Sequence, residues 1–127
     1  MKKMIYPAIF HQEDDSYWVE FPDLEGCQSY GLTLAEVHEG AKEALTGYLI
    51  VMLEQGKHIS PPTDIRLLDV PKDAFVSLVD ADLIKKSQLV EKTLNIPSWL
   101  NDHAENNHIN FSSVLQEALM QKLELSS

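Results

Sequence analysis

The chain has 127 residues and a mass of 14.4 kDa. This length is enough for one modest hydrophobic core plus a small appendage, and it is short for two full domains. Its composition, 44% hydrophobic and 24% charged residues, is typical of a folded globular protein and excludes a largely disordered chain. The formal net charge of -10 argues against a protein whose whole surface binds nucleic acid and favours a basic partner.

Two features of the sequence bear on where the protein is found. No apolar run approaches the roughly 18 residues that a membrane span needs, and the N-terminus, MKKMIYP, lacks the apolar stretch and cleavage site of a signal peptide. The single cysteine, Cys27, has no second cysteine with which to form an intrachain disulfide. We therefore expect a cytoplasmic protein that does not contact a membrane.

The first quarter of the chain has the patterns of three β-strands. Side chains of residues 17–21 alternate between two faces of an extended segment, and Pro22 and Gly26 then provide turn chemistry. Residues 17–27 (YWVEFPDLEGC) therefore predict strand, turn and strand, with the third strand ending near residue 30. Residues 4–10 predict the first strand, with Pro7 at an edge or a bulge because proline cannot donate a ladder hydrogen bond. The polar residues between these two strands, 11–16, predict a turn.

Residues 33–56 carry the signals of one long amphipathic helix. Thr33 and Glu36 form a capping box, Gly56 suits the C-terminal end, and apolar residues recur between them at steps of three and four. Residues 74–79 (AFVSLV) predict a further buried strand, with an extended stretch at residues 65–70 before it. We expect an antiparallel sheet that the helix covers on one face.

The sequence predicts two units of different character. Residues 1–80 contain the predicted sheet and long helix. Residues 81–89 are predicted to be a linker with a helical turn near its start, because they are charged and lack a clear apolar stripe. Residues 90–127 form the second unit, which is too short to bury a stable core alone, so a twofold dimer is the simplest arrangement.

The second unit is predicted to contain a strand followed by two helices. Residues 92–96 alternate as a strand does, and Pro97 occupies a favoured first position of a helix. Leu100 and Ala104 are expected on the inward side of this helix. Asn110 is expected to cap the second helix, in which apolar residues again recur at helical spacing.

Three blocks of the first unit resemble the HicB family of antitoxins: YPAIF at residues 6–10, YWVEFPDLEGC at 17–27 and TLAEVHEGAKEAL at 33–45. The resemblance implies an α+β protein whose N-terminal domain is a partial ribonuclease H-like fold, an antiparallel sheet plus one long helix. It also implies the antitoxin of a type II toxin-antitoxin system. Such a protein binds and neutralises a HicA-type toxin that cleaves mRNA, and it represses its own operon.

Residues 93–119 (TLNIPSWLNDHAENNHINFSSVLQEAL) resemble the ribbon-helix-helix fold, in which strands of two chains pair and enter the major groove of DNA. The resemblance implies a homodimer, with a higher oligomer left open, that binds operator DNA. It places Leu94 and Ile96 in the dimer core. The DNA-binding residues that it implies are Glu91, Lys92, Thr93 and Asn95 on the ribbon and Asn110, Ser112 and Ser113 at the start of the second helix.

No catalytic residue, metal site or cofactor is expected. Metal-dependent cleavage of RNA needs carboxylates that converge on two cations, and the acidic residues of the first unit lack such a spacing. The five histidines show no metal-ligand spacing, and Cys27 is interpreted as a small core residue. We expect the acidic N-terminal domain to bind the toxin through Asp14, Asp15, Trp18, Glu20 and Asp23.

Two alternatives stay open at this point. Ribbon-helix-helix proteins commonly carry Arg or Lys where this ribbon has Glu91, Thr93 and Asn95, so the second unit is alternatively a dimerisation module alone. The whole chain is alternatively a degenerate nuclease-like or ligand-binding domain with a dimerising tail and no DNA binding. Rescue of cells from the toxin separates these functions.

Overall fold

The computed structural model of the protein describes residues 4–86 and 88–125. The described residues divide into two compact units, one that ends at residue 86 and one that begins at Gln88. The proposed linker, residues 81–89, contains this division. Of the predicted domains, residues 1–3, 87 and 126–127 lie outside the described part of the chain.

The N-terminal unit is built on a four-stranded antiparallel sheet. Its strands are β1 (Met4–Glu13), β2 (Ser16–Glu20), β3 (Gln28–Gly31) and β4 (Ala74–Ala81). They are ordered β3-β2-β1-β4, so β1 pairs with both β2 and β4. The strand predicted at residues 74–79 is confirmed and completes the sheet. Pro7 lies where β1 has β4 but not β2 as a neighbour, which suits a residue without a backbone N–H.

A tight loop joins β1 to β2 and sets their register. Glu13 pairs with Ser16, which leaves only Asp14 and Asp15 in the loop. Asp14 has a positive φ of 53°, a conformation that aspartate tolerates better than most residues. The turn predicted at residues 11–16 is shorter than expected because both strands continue into that stretch.

The hairpin predicted in residues 17–27 is confirmed as the end of β2, a closed turn and the approach to β3. The Phe21 N–H donates to the Cys27 carbonyl (3.1 Å), and the Cys27 N–H donates to the Leu24 carbonyl (3.0 Å). Gly26 has a φ of 82° in this turn, a left-handed conformation that strains residues with a Cβ. The glycine therefore allows the chain to reverse within a few residues.

Helix α1 (Leu34–Glu54) follows β3 and begins at the predicted cap. The Thr33 hydroxyl accepts the Glu36 N–H (3.1 Å), and a Glu36 carboxylate oxygen accepts the Leu32 N–H (2.9 Å). These bonds satisfy two backbone donors that a helix start leaves without helical partners. Gly56 follows the last turn with a φ of 65°, as its position in the sequence predicts.

The hydrophobic core of this unit lies between α1 and one face of the sheet. The helix contributes residues at four-residue steps, and the strands contribute alternate residues. The principal core residues are Val37, Ala41, Leu45 and Leu49 of α1 and Tyr6, Ala8, Phe10, Val19 and Val79 of the sheet. Because this packing occupies one sheet face, the opposite face is left for other contacts.

Two hydrogen-bonded pairs join the segment between α1 and β4 to strand β1 and to the turn before β3. The Tyr6 hydroxyl donates to the Ser60 carbonyl at 2.6 Å. The Thr63 N–H donates to the Asp23 carboxylate at 2.9 Å, and the Thr63 hydroxyl donates to the other oxygen of that carboxylate. These bonds hold a loop that contains little regular structure.

The extended stretch predicted at residues 65–70 is wrong in its first half. Ile65–Leu67 form a single 3-10 turn, and the Asp64 side chain caps it by accepting the Arg66 N–H at 2.9 Å. The Arg66 guanidinium also binds the same carboxylate and lowers the pKa of Asp64. The cap provides a local alternative to an extended conformation.

The C-terminal unit contains two helices, α3 (Ser98–Asn106) and α4 (Phe111–Lys122). A single helical turn, α2 (Leu83–Lys86), precedes the unit and matches the turn predicted at the start of the linker. Pro97 lies at the N-cap position of α3, one residue before its predicted place at the first position of the helix, and makes no side-chain capping bond. Helix α4 begins as predicted, because the Asn110 side chain accepts the Ser113 N–H at 3.0 Å.

Residues 92–96, predicted as a strand, belong to no strand or helix in the structure. A strand is held by hydrogen bonds to a neighbouring strand, and the sheet of this chain is formed by β1 to β4 alone among the described residues. No residue described between 88 and 125 is buried. Leu100, which was expected on the inward side of α3, is 41% exposed. The single chain therefore leaves this unit without a core.

Candidate functional site

The sheet face opposite α1, here called the outer face, carries an ordered cluster of three side chains. The strand register places His11 beside Trp18 and Ile9 beside Glu20, so these side chains project from one face. The His11 and Trp18 rings stack with centroids 4.0 Å apart and 9° between planes. Nε2 of His11 lies 2.7 Å from a Glu20 carboxylate oxygen. The His11 ring thus contacts an indole through its face and a carboxylate through Nε2.

Apolar side chains continue the outer face towards both edges of the sheet. Tyr30 pairs with Trp18 across β2 and β3, and Leu78 pairs with Pro7 across β4 and β1. The exposed fractions are 69% for Tyr30, 55% for Leu78 and 43% for Ile5. Exposed apolar side chains around a half-buried aromatic residue are typical of protein-binding surfaces.

The structure places the five predicted toxin-binding residues in three locations. Trp18 and Glu20 lie together on the outer face, and both are half-buried. Asp14 and Asp15 are exposed in the loop between β1 and β2. Asp23 lies in the turn before β3, and Thr63 donates to both of its carboxylate oxygens. Asp23 therefore has a structural role, and toxin contact remains a prediction for all five residues.

Two buried groups have raised pKa values. Burial raises the pKa of the Cys27 thiol from 9.0 to about 11, so the thiol stays protonated and unreactive at neutral pH. Burial also raises the pKa of the Tyr6 phenol, with a further contribution from the nearby charge of Asp23. Cys27 is confirmed as a core residue.

The described residues contain neither a cluster of possible metal ligands nor a helix that could span a membrane. Within residues 4–86 and 88–125, no three His, Cys, Asp or Glu side chains are grouped so that they could hold a metal ion. No helix in the same part of the chain is both long enough and apolar enough to cross a membrane.

A groove that the sequence analysis missed lies between the second half of α1 and the turn before β3. Its volume is about 470 Å³, and Gly26, Cys27, Ala44, Gly47 and Val51 are among its lining residues. A Cβ added at Gly47 would meet no atom of the described residues within 4 Å, so packing within that part of the chain does not require glycine there. A glycine inside the helix, Gly47, is the sequence signal that could have indicated this open space. We call this feature the α1 groove.

The predicted DNA-binding residues fall into two groups. Glu91, Lys92, Thr93 and Asn95 are all exposed in the irregular segment before α3. At the start of α4, the Asn110 side chain accepts the Ser113 N–H, so this N–H serves the helix cap. Ser112 is exposed in the first turn of the helix. The geometry therefore leaves Ser112 better placed than Ser113 to offer a backbone N–H to an anion.

The C-terminal unit exposes many large apolar side chains. They are Leu89, Val90, Leu94, Ile96, Trp99, Leu100, Ile109, Phe111, Val114, Leu119 and Leu123. Leu94 and Ile96, which the ribbon-helix-helix resemblance assigns to a dimer core, are 56% and 46% exposed. So much exposed apolar surface on so small a unit is unfavourable in water.

Residues 6–119 match the model of a family described as the HicB-like antitoxin of bacterial toxin-antitoxin systems. The matched range begins in β1 and ends within α4, so it includes residues of both units.

Similar proteins include two solved structures and one curated sequence. The antitoxin HicB of Burkholderia pseudomallei matches with a TM-score of 0.63 and 25% identity, covering 94% of this chain and 98% of that chain. A chain of a toxin-antitoxin complex from Streptococcus pneumoniae matches with a TM-score of 0.61 and 25% identity, covering 94% and 99%. An uncharacterised 14.9 kDa protein from the rep-hol intergenic region of Haemophilus phage HP1 (strain HP1c1) is 35% identical over 101 residues, 76% of each chain.

Proposed function

This chain belongs to the HicB-like antitoxin family of bacterial toxin-antitoxin systems, and from this premise we propose that it neutralises a HicA-type toxin and, as a dimer, represses its own operon. The observation that carries the proposal is the family match over residues 6–119, which includes both structural units. We assign toxin binding to the N-terminal unit and operator binding to the C-terminal unit.

The charge of the N-terminal part supports binding of a basic toxin. Residues 1–88 contain 15 acidic and 8 basic residues, a formal charge of -7 out of -10 for the whole chain. A surface of one sign accelerates the encounter with a partner of the other sign and disfavours partners of like charge. The similar chain from Streptococcus pneumoniae was solved within a toxin-antitoxin complex, which is consistent with this assignment.

We propose that the N-terminal unit, a partial ribonuclease H-like domain, acts by covering the toxin and not by cleaving RNA itself. Cleavage with two metal ions requires carboxylates that are free to coordinate them. The Glu20 carboxylate contacts His11, and the Asp23 carboxylate accepts hydrogen bonds from Thr63. Both residues are among the acidic side chains of the first unit that such chemistry would have to use.

The exposed apolar residues of the C-terminal unit support a dimer. In a ribbon-helix-helix dimer, residues 92–96 of two chains would pair as antiparallel strands and bury Leu94 and Ile96 between them. That arrangement accounts both for the exposure of these side chains in one chain and for the absence of a strand there. Thr93 and Asn95 would then face the DNA.

One observation favours a second candidate for the C-terminal unit, a dimerisation module that does not bind DNA. Residues 89–127 contain five acidic and two basic residues, a formal charge of -3. DNA binding draws much of its free energy from contacts of Lys and Arg with phosphates. A gel-shift assay with the promoter region of the operon distinguishes the two candidates.

Growth rescue tests the proposed antitoxin function. The candidate toxin is the small basic protein that we expect in the same operon; it is expressed from one inducible promoter and the chain from another. We expect induction of the toxin alone to arrest growth and co-expression of the full chain to restore it, with both proteins co-purifying in one complex. Continued arrest despite soluble, folded antitoxin would exclude the proposed function.

A further inference from the structure

We infer that the toxin docks on the outer face, with Trp18 as the central aromatic anchor and His11 as the residue that positions it. This inference rests on the proposed antitoxin function and adds to it the surface of contact. Three properties of this face support it: the order of the cluster, the exposed apolar area around the cluster and the charge of the face.

The Trp18 side chain is pre-organised for binding. Its indole stacks against the His11 ring at a centroid distance of 4.0 Å, and a Glu20 carboxylate oxygen lies 2.7 Å from Nε2 of that ring. All three residues are on paired strands of one sheet, so their backbone is rigid. A side chain that is already ordered loses little conformational entropy when a partner packs on it, which is a property of binding hot spots.

The surroundings of Trp18 have the composition of an interface. Tyr30 lies beside it on β3, and Leu78 and Ile5 continue the apolar surface on β4 and β1. Packing of α1 against the other sheet face does not account for these side chains, since they project away from the core. Tyrosine and tryptophan are enriched in the buried centres of protein interfaces.

The charge of the outer face selects a basic partner over a second copy of this chain. Glu20 lies on the face, and Asp14 and Asp15 lie in the loop that joins its two central strands. A twofold contact between two copies would place the same patch against itself and would oppose these carboxylates. A basic toxin would instead place Lys or Arg beside them, at the rim of an apolar contact.

Tryptophan fluorescence tests the docking surface directly, because the chain has only two tryptophans, Trp18 and Trp99. The variant Trp99→Phe leaves Trp18 as the sole reporter in the full-length protein. The probe is the toxin, obtained by denaturing and refolding it from the co-purified complex. We expect toxin addition to shift the Trp18 emission to shorter wavelength and to protect it from acrylamide quenching. Binding with unchanged Trp18 emission and quenching would overturn the inference.

Matched substitutions add a second readout, the dissociation constant measured by calorimetry. Leu78→Ser on the outer face and Val51→Ser in the α1 groove remove side chains of similar exposure, 55% and 50%. We expect Leu78→Ser to weaken toxin binding about tenfold or more and Val51→Ser to leave it nearly unchanged. Gly47→Leu, which partly fills the groove, should also bind normally. Loss of binding in the groove variants alone would place the toxin there and overturn the inference.

Two further results separate this inference from the function on which it rests. If the Trp99→Phe protein and the wild type both fail to bind toxin, the antitoxin function itself is excluded. If Leu78→Ser lowers the molecular mass of the toxin-free assembly in solution, the outer face joins two copies of this chain. The inference then fails, while the antitoxin function stands. An unchanged mass together with weakened toxin binding supports the inference.

Discussion

Asp23 and Thr63, 40 residues apart in the chain, are joined by two hydrogen bonds: the Thr63 N–H donates to one Asp23 carboxylate oxygen at 2.9 Å, and the Thr63 hydroxyl donates to the other. The pair connects the turn between β2 and β3 with the loop that follows α1. The Asp23–Thr63 pair holds a loop that has few other long-range hydrogen bonds among the described residues. Loss of the pair should therefore lower the free energy of unfolding measurably.

Substitution of Asp23 by Ala is expected to destabilise the N-terminal unit by about 1–3 kcal/mol, because two half-buried donors of Thr63 lose their acceptors. Urea unfolding followed by circular dichroism measures the change. Glu25→Ala is the matched control, since Glu25 is an exposed acidic residue in the same turn. Equal stability of the two variants would show that the Asp23 pair contributes little.

Stability is expected to fall as the pH rises from 9.0 to about 11, because the Cys27 thiol has a pKa of about 11 when folded and an ordinary value of 9.0. Across this range the unfolded chain loses the proton while the folded chain keeps it, so unfolding becomes more favourable. Cys27→Ala should reduce the slope of unfolding free energy against pH. A residual slope should remain from Tyr6, whose pKa is also raised. An identical slope in wild type and variant would contradict the burial of the thiol.

Replacement of both Thr93 and Asn95 by Ala is expected to remove operator discrimination while toxin binding and the dimer are kept. Each lost base contact should cost about 1–3 kcal/mol, and the twofold axis doubles every change. Gel shifts with operator and scrambled DNA measure the discrimination. Full operator affinity and selectivity in the double variant would leave the C-terminal unit as a dimerisation module alone.

Leu94→Asp is expected to abolish dimerisation and DNA binding together, because it would place a charge in the proposed dimer core, where an unpaired carboxylate is costly. In the single chain Leu94 is exposed, so the fold of the N-terminal unit should be unaffected. Analytical ultracentrifugation gives the mass, and toxin binding serves as the control for folding. A dimeric Leu94→Asp protein would show that Leu94 lies outside the dimer contact.

Helix α1 is predictable from the sequence because its determinants are local. The cap at Thr33, the buried residues at four-residue steps and the terminal Gly56 all lie within or next to the helix. The 3-10 turn at Ile65–Leu67 is harder to predict, since an Asp64 side chain bond competes with an apolar pattern that also suits a strand.

The outer face is not predictable from local patterns. The stacking of His11 on Trp18 depends on the register of β1 and β2, which the two-residue loop at Asp14 and Asp15 sets. The polar sequence around His11 instead predicts a turn. The strand predicted at residues 92–96 is absent from the structure for a different reason. Its hydrogen-bonding partner in the proposal is a second chain, so one chain alone does not form it.

Inhibition of RNA cleavage by purified toxin is the most direct test of the antitoxin assignment. A fixed concentration of toxin is incubated with mRNA while the full-length chain is added in increasing amounts. We predict that cleavage falls in proportion and ceases near equimolar antitoxin, and that the outer-face variant Leu78→Ser requires a larger excess. Undiminished cleavage in the presence of excess folded chain would contradict the proposed function.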